Sequence, residues 1–260
     1  MDFHPAPEEY VTDAIEFRYF LVPWDTEILG FPVAAIEGLT ISRPDIAAEA
    51  FKDFLVWLKD RNVGLCSCRL AQHKLSEALF LQEQRFRYIE LHYTPEIGEL
   101  QSRSYEDPQF TVMPAQEDDQ AALVECAAST FSAGRFHMDP RLGAEVGNER
   151  YRFWMRNAFE RGDQVVLKCE SDSEIVAFFV FESGGPGHCH WSLVGMTQQF
   201  SGKGLAKSVW RDVVAWHRAH GVEKISTAIS SHNLAVMNLY IGLGFLFPEP
   251  QVTFHWMPDH

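Results

Sequence analysis

Basic residues are the scarce class in this sequence. Twenty-two Lys and Arg stand against 36 Asp and Glu, a formal net charge of −14. Binding to nucleic acid rests on a basic face, so that class of function is excluded. The acidic balance is compatible with a cationic acceptor such as an amine. Long apolar runs are missing too, and none reaches the length that spans a bilayer. The stretch Met1–Tyr10 is polar and proline-containing. Neither a signal peptide nor a membrane anchor is read, no membrane partner is expected, and the expected location is cytoplasmic. Cysteine is sparse and odd in number, at five. Only Cys66 and Cys68 lie close together, and they are read as strand positions on opposite faces. Reduced thiols, no disulfide framework and no metal site are the expectation.

What is present is a sequence rich enough in apolar residues, 46% of 260, for one large or two ordinary packed domains. Strands are expected at 16–22, 33–39, 63–70 and 88–93. Helices are expected at 45–62, with Ala48, Phe51, Leu55 and Leu58 on one stripe, and at 74–85. The aromatic, turn-rich stretch 24–33 reads as a loop. Gly98–Asp107 is polar, precedes Pro108 and reads as a linker. A second series then runs β-α-α-β-β-β-α-β-α-β from Phe110 to the C-terminus, closing on a strand at 252–256. The division is therefore 1–103 and 108–260. The halves are also related by an internal repeat at a register of 159 positions. Asp53 falls on Asp212, Trp57 on Trp216, Val63 on Val222, Ser67 on Ser226, His73 on His232, Leu75 on Leu234 and Phe86 on Phe245.

The most informative stretch is Ser201-Gly202-Lys203-Gly204-Leu205-Ala206, between an expected strand at 189–196 and an amphipathic helix at 203–221. A glycine-rich strand-to-helix turn aims backbone N–H groups and the positive end of the helix dipole at one point. Glycine lets an anion approach the backbone, and Lys203 adds charge. The chemistry is that of a phosphate cradle; the other reading is a tight loop. A Walker loop is excluded because Leu205 follows Gly204, and a dinucleotide fingerprint would fall early in a βαβ series.

This stretch resembles the pyrophosphate loop of the GCN5-related N-acetyltransferases (GNAT), Arg/Gln-x-x-Gly-x-Gly/Ala, with Ser201 in place of Arg or Gln. Gln199 fits a shifted frame. The β-α-α-β-β-β-α-β-α-β order is also that family's, over about Phe110–His260. The resemblance implies an α/β (α+β) GNAT fold, a mixed central sheet flanked by helices. It implies acetyl-CoA as co-substrate, held by the strand end at Gly195, Met196 and Thr197, by the cradle Ser201, Gly202, Lys203, Gly204, Leu205 and Ala206, and by Asn233. Asn233 and Tyr240 are seven residues apart and share one helix face. In the family an asparagine here contacts the pantetheine arm, and a tyrosine protonates the leaving thiolate. The purely structural reading makes Asn233 an N-cap and Tyr240 a core aromatic. Opposite the cradle, residues 40–46 have no glycine and include Pro44. Lys74 stands opposite Asn233 and Leu81 opposite Tyr240, so the N-terminal half reads as a degenerate GNAT-like copy without a cofactor site.

An amine would attack the thioester directly, with Tyr240 as general acid. His137, Asp139, Glu182 and His190 are candidate bases, and the sequence does not choose among them. The loop Ala133–Arg141 carries the expected acceptor contacts Arg135, His137, Asp139 and Arg141. Two arginines in one loop suit a diphosphate. The two-half layout is similar to family members that acetylate the amino group of a nucleotide-linked sugar. A small-molecule amine, best an amino-sugar nucleotide, is the expected partner; a polyamine or a protein N-terminus is the runner-up. A homodimer is compatible with the sequence, which does not fix an assembly. The competing class is a catalytically silent acyl-CoA-binding or partner-binding module.

Overall fold

The structure is a computed structural model that describes residues 6–104 and 108–258. The described residues fall into two compact units, one within Met1–His92 with Glu249–His260 and one within Tyr93–Pro248. The boundaries thus differ from the expected 1–103 and 108–260. The expected linker lies partly outside the described residues; its described part holds a 3-10 turn, Leu100–Ser102.

In the first unit the order is β1 (Glu8–Val11), β2 (Ile15–Leu21), α1 (Pro23–Leu29), β3 (Val33–Ile41), α2 (Pro44–Ala50), α3 (Lys52–Asp60), β4 (Leu65–Ala71), α4 (Leu75–Glu83) and β5 (Arg87–Tyr93). The second contains β6 (Glu96–Ile97), β7 (Thr111–Pro114), α5 (Gln120–Thr130), α6 (Arg135–Met138), α7 (Ala144–Glu160), β8 (Gln164–Ser171), β9 (Glu174–Gly185), β10 (His188–Met196), α8 (Ala206–Ala219), β11 (Lys224–Thr227), β12 (Ile229–Ser230) and α9 (Leu234–Leu243). The last strand, β13 (Gln251–Trp256), pairs antiparallel with β4 and β5. It therefore completes the sheet of the first unit, where the sequence reading had it closing the second half. Phe254 and Trp256 explain this: both are buried in the core of the first unit with Phe17, Phe51 and Phe54.

Three further expectations change. The stretch 24–33 holds α1, because Pro23 pre-sets the helical φ at its start and Gly30, at φ +72°, closes it. The helix expected over 45–62 is two helices that meet at Phe51, whose ring is fully buried. Cys66 and Cys68, two apart in β4, share a face by the period of a strand, and both lie in the same core.

The sheet of the second unit runs β6-β11-β10-β9-β8-β7. β9 is antiparallel to β10, and β10 is parallel to β11 for only four residues, from His188↔Lys224 to Trp191↔Thr227. Beyond Trp191 the edge of β10 that had faced β11 continues without it. A bulge at Ser192 then reverses the facing of side chains. Cys189 and Trp191 pack with Val209, Trp210, Val213 and Tyr240 of α8 and α9, while Leu193 packs with Phe178, Met155 and Leu123 on the α5–α7 side.

The repeat is visible in how the helices end. Val63 N–H bonds the Leu58 carbonyl at 2.9 Å, and Val222 N–H bonds His217 at 3.0 Å. Phe86 bonds Leu81 at 2.9 Å, and Phe245 bonds Tyr240 at 3.0 Å. The left-handed residues that allow these six-residue closures are Asn62 and Arg85 in one unit and Gly221 and Gly244 in the other. β3 and β4 also run parallel for four residues, Val33↔Leu65 to Ile36↔Cys68, before they part.

Candidate active site

The parting of β10 and β11 is the centre of the site. Thr227, the last residue of the parallel pair, donates its hydroxyl to the Trp191 carbonyl at 3.0 Å. The Tyr240 ring is fully buried and tilted against Phe245 at 4.7 Å between centroids. Among the described residues its hydroxyl has no hydrogen-bond partner of normal geometry, and neither has the Trp210 indole N–H. The polar neighbours of the hydroxyl are Thr227 and Trp210, and burial pushes the phenol up to about 12. Tyr240 is thus a core aromatic whose buried hydroxyl keeps its proton near neutral pH, beside Thr227 where the strands part.

The cradle follows β10. Phe200 and Ser201 N–H both bond the Thr197 carbonyl, at 3.0 and 2.9 Å, closing a turn. Gly202 and Gly204 adopt φ of +75° and +78°, the left-handed region that favours glycine. A side-chain carbon built on either would meet no atom within 4 Å. The glycines are therefore there for backbone conformation, and the space beside them is open. Among the described residues no side chain caps α8 at Leu205, so the N–H groups of its first turn stay available to an anion. Lys203 lies over the Phe200 ring at 5.2 Å. Gln199 donates to Glu174 at 2.9 Å, which takes it away from the cradle.

Along β10, Gly195 is required by packing: an added carbon would sit 2.7 Å from Thr130 Cγ2 and 2.9 Å from Phe178 Cζ. The Met196 carbonyl accepts from the Thr130 hydroxyl at 3.2 Å. Thr197 was expected to hold cofactor. Its N–H goes instead to Val176 and its hydroxyl to Ile175, and its carbonyl builds the turn. Asn233 caps α9, its Oδ1 accepting from Val236 N–H at 3.2 Å. One of its two polar atoms is thereby used.

The acceptor loop departs most from expectation. Asp139 is fully buried and receives the Arg141 guanidinium on both oxygens, at 2.9 and 2.8 Å. This pair locks the loop onto itself, which argues against Arg141 as a phosphate clamp and against Asp139 as a base. The Arg135 guanidinium lies over Phe136 at 4.8 Å. His137 is better placed. Its Nε2 is 3.1 Å from Asn148 Oδ1, and Asn148 Nδ2 donates to Glu145 at 3.4 Å. The amide so oriented accepts from Nε2–H and leaves Nδ1 as a buried lone pair without a partner among the described residues. Gly147 makes this possible, since any side chain there would strike the His137 ring. His137 stacks on Tyr151, and Tyr151 on Phe131.

A group that the sequence reading did not assemble lies on the α5–α7 side of β10. The Ser226 hydroxyl is 2.8 Å from His188 Nε2 and 2.9 Å from His190 Nδ1. Glu182 is paired with His190 across β9 and accepts from Gln164 at 3.0 Å. The signal was legible: two histidines two apart in a strand share a face. Among the described residues no cluster of His, Cys, Asp and Glu could hold a metal ion, and no helix is long and apolar enough to cross a membrane.

A mixed sheet whose middle strands part, followed by an open glycine turn and an uncapped helix, defines an acyl-CoA transferase fold. Residues 135–245 match the Acetyltransferase (GNAT) family. Among its relatives is the spore coat polysaccharide biosynthesis protein SpsD of Bacillus subtilis, 20% identical over 242 residues, which cover 90% of this chain and 81% of SpsD. The fold is similar to a GCN5-related N-acetyltransferase from Sphaerobacter thermophilus, with a TM-score of 0.64 at 15% identity over 95% of this chain and 78% of that one. It is also similar to a tandem GNAT protein from the clavulanic acid biosynthesis pathway, with a TM-score of 0.63 at 12% identity over 95% and 80%. The fit of acetyl-CoA rests on three features of this chain: the open left-handed glycine turn, the edge of β10 that β11 leaves beyond Trp191, and the buried Tyr240 hydroxyl, which has no partner of normal geometry among the described residues.

Proposed function

We propose that the second unit transfers an acetyl group from acetyl-CoA to a primary amine, with an amino-sugar nucleotide or a similar small molecule as acceptor. The observation that carries this is the place of Tyr240. Its buried, protonated hydroxyl stands beside Thr227, where β10 and β11 part, and the cradle opens from the end of the same β10. When bound, acetyl-CoA supplies a thioester that an amine attacks directly. The backbone of Gly202–Ala206 and the α8 N-terminus would hold the pyrophosphate. The free edge of β10 at Gly195 and Met196, with Asn233, would hold the arm. Tyr240 gives its proton to the departing sulfur. Positioning on this rigid strand supplies much of the rate. His137 and Arg135 would face the acceptor, the bare Nδ1 of His137 accepting from a hydroxyl or amine. The kinship with a polysaccharide biosynthesis protein supports a sugar acceptor.

The test is a thermal shift with acetyl-CoA followed by thiol release across a panel of amines, with amino-sugar nucleotides, polyamines and peptide N-termini in separate arms. Stabilisation by acetyl-CoA and turnover on the sugar arm are expected. Binding without turnover on any amine would make the protein an acyl-CoA-binding module.

A further inference from the structure

We propose that His190 is the general base of this site and that Ser226 and His188 form a relay that carries its proton to the surface. The inference rests on the acetyl-transfer reading above and chooses among the four bases the sequence left open.

The tautomers follow from one fixed group. His188 Nδ1 lies 3.3 Å from the Gly184 carbonyl, which can only accept, so Nδ1 carries the proton. In the neutral imidazole the lone pair is then on Nε2. The Ser226 hydroxyl, 2.8 Å away, must donate there. Having used its one proton, Ser226 Oγ can only accept from His190 at 2.9 Å, so His190 carries its proton on Nδ1. His190 Nε2 is left as the bare, basic nitrogen. The chain of three groups begins one residue before Trp191, at the apex of the gap, and ends at the exposed Gly184 turn.

The location suits the task. Before the Ser192 bulge, His188 and His190 face away from the α8–α9 core that takes Cys189 and Trp191. His190 therefore lies on the α5–α7 side, with Leu193 and the acceptor loop, while Tyr240 lies on the other. Base and acid flank the apex from opposite faces of the sheet. The groups that face His190 are His188 on β10, Ser226 on β11 and Glu182 on β9. Burial holds the imidazole below its ordinary value, against the pull of Glu182, so it is neutral and able to accept near pH 7. In the transfer, the amine nitrogen bonds the acetyl carbon as the carbon–sulfur bond breaks. The sulfur takes the Tyr240 proton and His190 Nε2 takes one amine proton. His190 then passes its Nδ1 proton to Ser226, Ser226 passes its own to His188 Nε2, and His188 releases Nδ1–H to water. Products are the amide and the free thiol, and Tyr240 regains from solvent the proton it gave to the sulfur.

The tautomers can be read without any substrate, by long-range proton–nitrogen NMR of the imidazoles in the full-length labelled protein. His190 and His188 should both show Nδ1–H with bare Nε2 at pH 7. Ser226→Ala should abolish that preference at His190. An Nε2–H tautomer at His190 in the parent protein would overturn the relay. In turnover, His190→Gln should lower kcat roughly 10²–10³-fold and remove the acidic limb of the kcat/KM profile. The acetyl-CoA dissociation constant should not change. An unaltered pH profile would overturn the base assignment. Failure of the parent protein to bind acetyl-CoA at all is a separate result: it removes the acetyl-transfer reading, and the role of His190 with it, whatever the tautomers.

Discussion

The Lys74 ammonium donates to the Leu39 carbonyl at 2.7 Å and to the Thr40 hydroxyl at 3.2 Å. Leu39 and Thr40 lie on β3 beyond Ile36, where β3 has already parted from β4. Lys74 precedes α4 at the place that Asn233 holds before α9 in the second unit. The backbone of the two residues is alike, with φ and ψ of −76° and 62° at Lys74 and −94° and 68° at Asn233. The first unit therefore keeps the gap and fills its edge with its own lysine. Its α2 start also repels anions, since Pro44 has no N–H and Asp45 sits in the first turn.

Lys74→Met should leave the Leu39 carbonyl without its charged donor. We expect a stability loss of about 1–3 kcal/mol by denaturant unfolding. Acetyl-CoA binding by isothermal calorimetry should be unchanged. A weakened acetyl-CoA affinity in this variant would show that the first unit takes part in cofactor binding.

At the cradle, Gly204→Glu places a carboxylate beside the α8 N-terminus, in the space now open. Acetyl-CoA binding should fall tenfold or more, about 1.4 kcal/mol. Because Gly204 is left-handed, the variant also carries backbone strain. Gly204→Asn, which tolerates that conformation, separates the two effects and should bind closer to the parent protein. Equal affinity of Gly204→Glu and the parent, with circular dichroism intact, would remove the cradle from the site.

Much of this was readable in the residues. The cradle glycines and the placing of Asn233 and Tyr240 on one helix are local, and local patterns survive into the fold. What the sequence hid was non-local. Nothing in Gln251–Trp256 says that it pairs with β4 rather than with the strands before it. Arg141 and Asp139 looked like ligands because charge is visible in sequence, and their mutual pairing is not. His188 and Ser226 went unnoticed because their partnership crosses from β10 to β11. Pro23 and Gly30 mark a helix start and stop as well as they mark a loop, and only the packing of the stretch decides.

Asp139→Ala should be costly to stability, because it leaves the largely buried Arg141 guanidinium without its carboxylate. A loss of about 3–5 kcal/mol is expected by denaturant unfolding. Arg141→Ala should likewise act on stability and raise the acceptor KM only through the loop. If Arg141→Ala left stability intact and raised KM selectively for nucleotide-linked acceptors, the diphosphate role would be restored.

His217 makes stability fall in acid. It is fully buried, accepts from the Trp191 indole on Nε2 at 2.9 Å, and burial pulls its value down to about 3. The unfolded chain titrates this group near its ordinary 6.5, so between about pH 6.5 and 3 the unfolded state binds the extra proton. The contribution is complete above that window and is lost as pH falls through it, on the order of 1.4 kcal/mol per pH unit. His217→Gln, which can still accept from the indole, should flatten the acid limb of a stability-against-pH curve. An unchanged limb would assign the acid sensitivity to other groups.

Tyr240→Phe is the sharpest test of the mechanism, because the structure alters what a packing role would predict. The hydroxyl is fully buried and has no hydrogen-bond partner of normal geometry among the described residues, so removing it strands none of them. Stability should therefore stay level or rise, and the phenyl ring keeps its contact with Phe245. Acetyl-CoA affinity should barely move. Turnover should fall by roughly 10²–10⁴-fold, as for loss of a positioned acid. The fall should appear in kcat, because the donated proton stabilises charge that exists only in the transition state. With the phenol held at about 12, the parent enzyme should keep its proton on Tyr240 across the neutral range, so the basic limb of its profile should lie above pH 10 wherever Tyr240 alone sets it. Near-normal turnover in Tyr240→Phe would leave the sulfur to take its proton from water, and Tyr240 would be packing only.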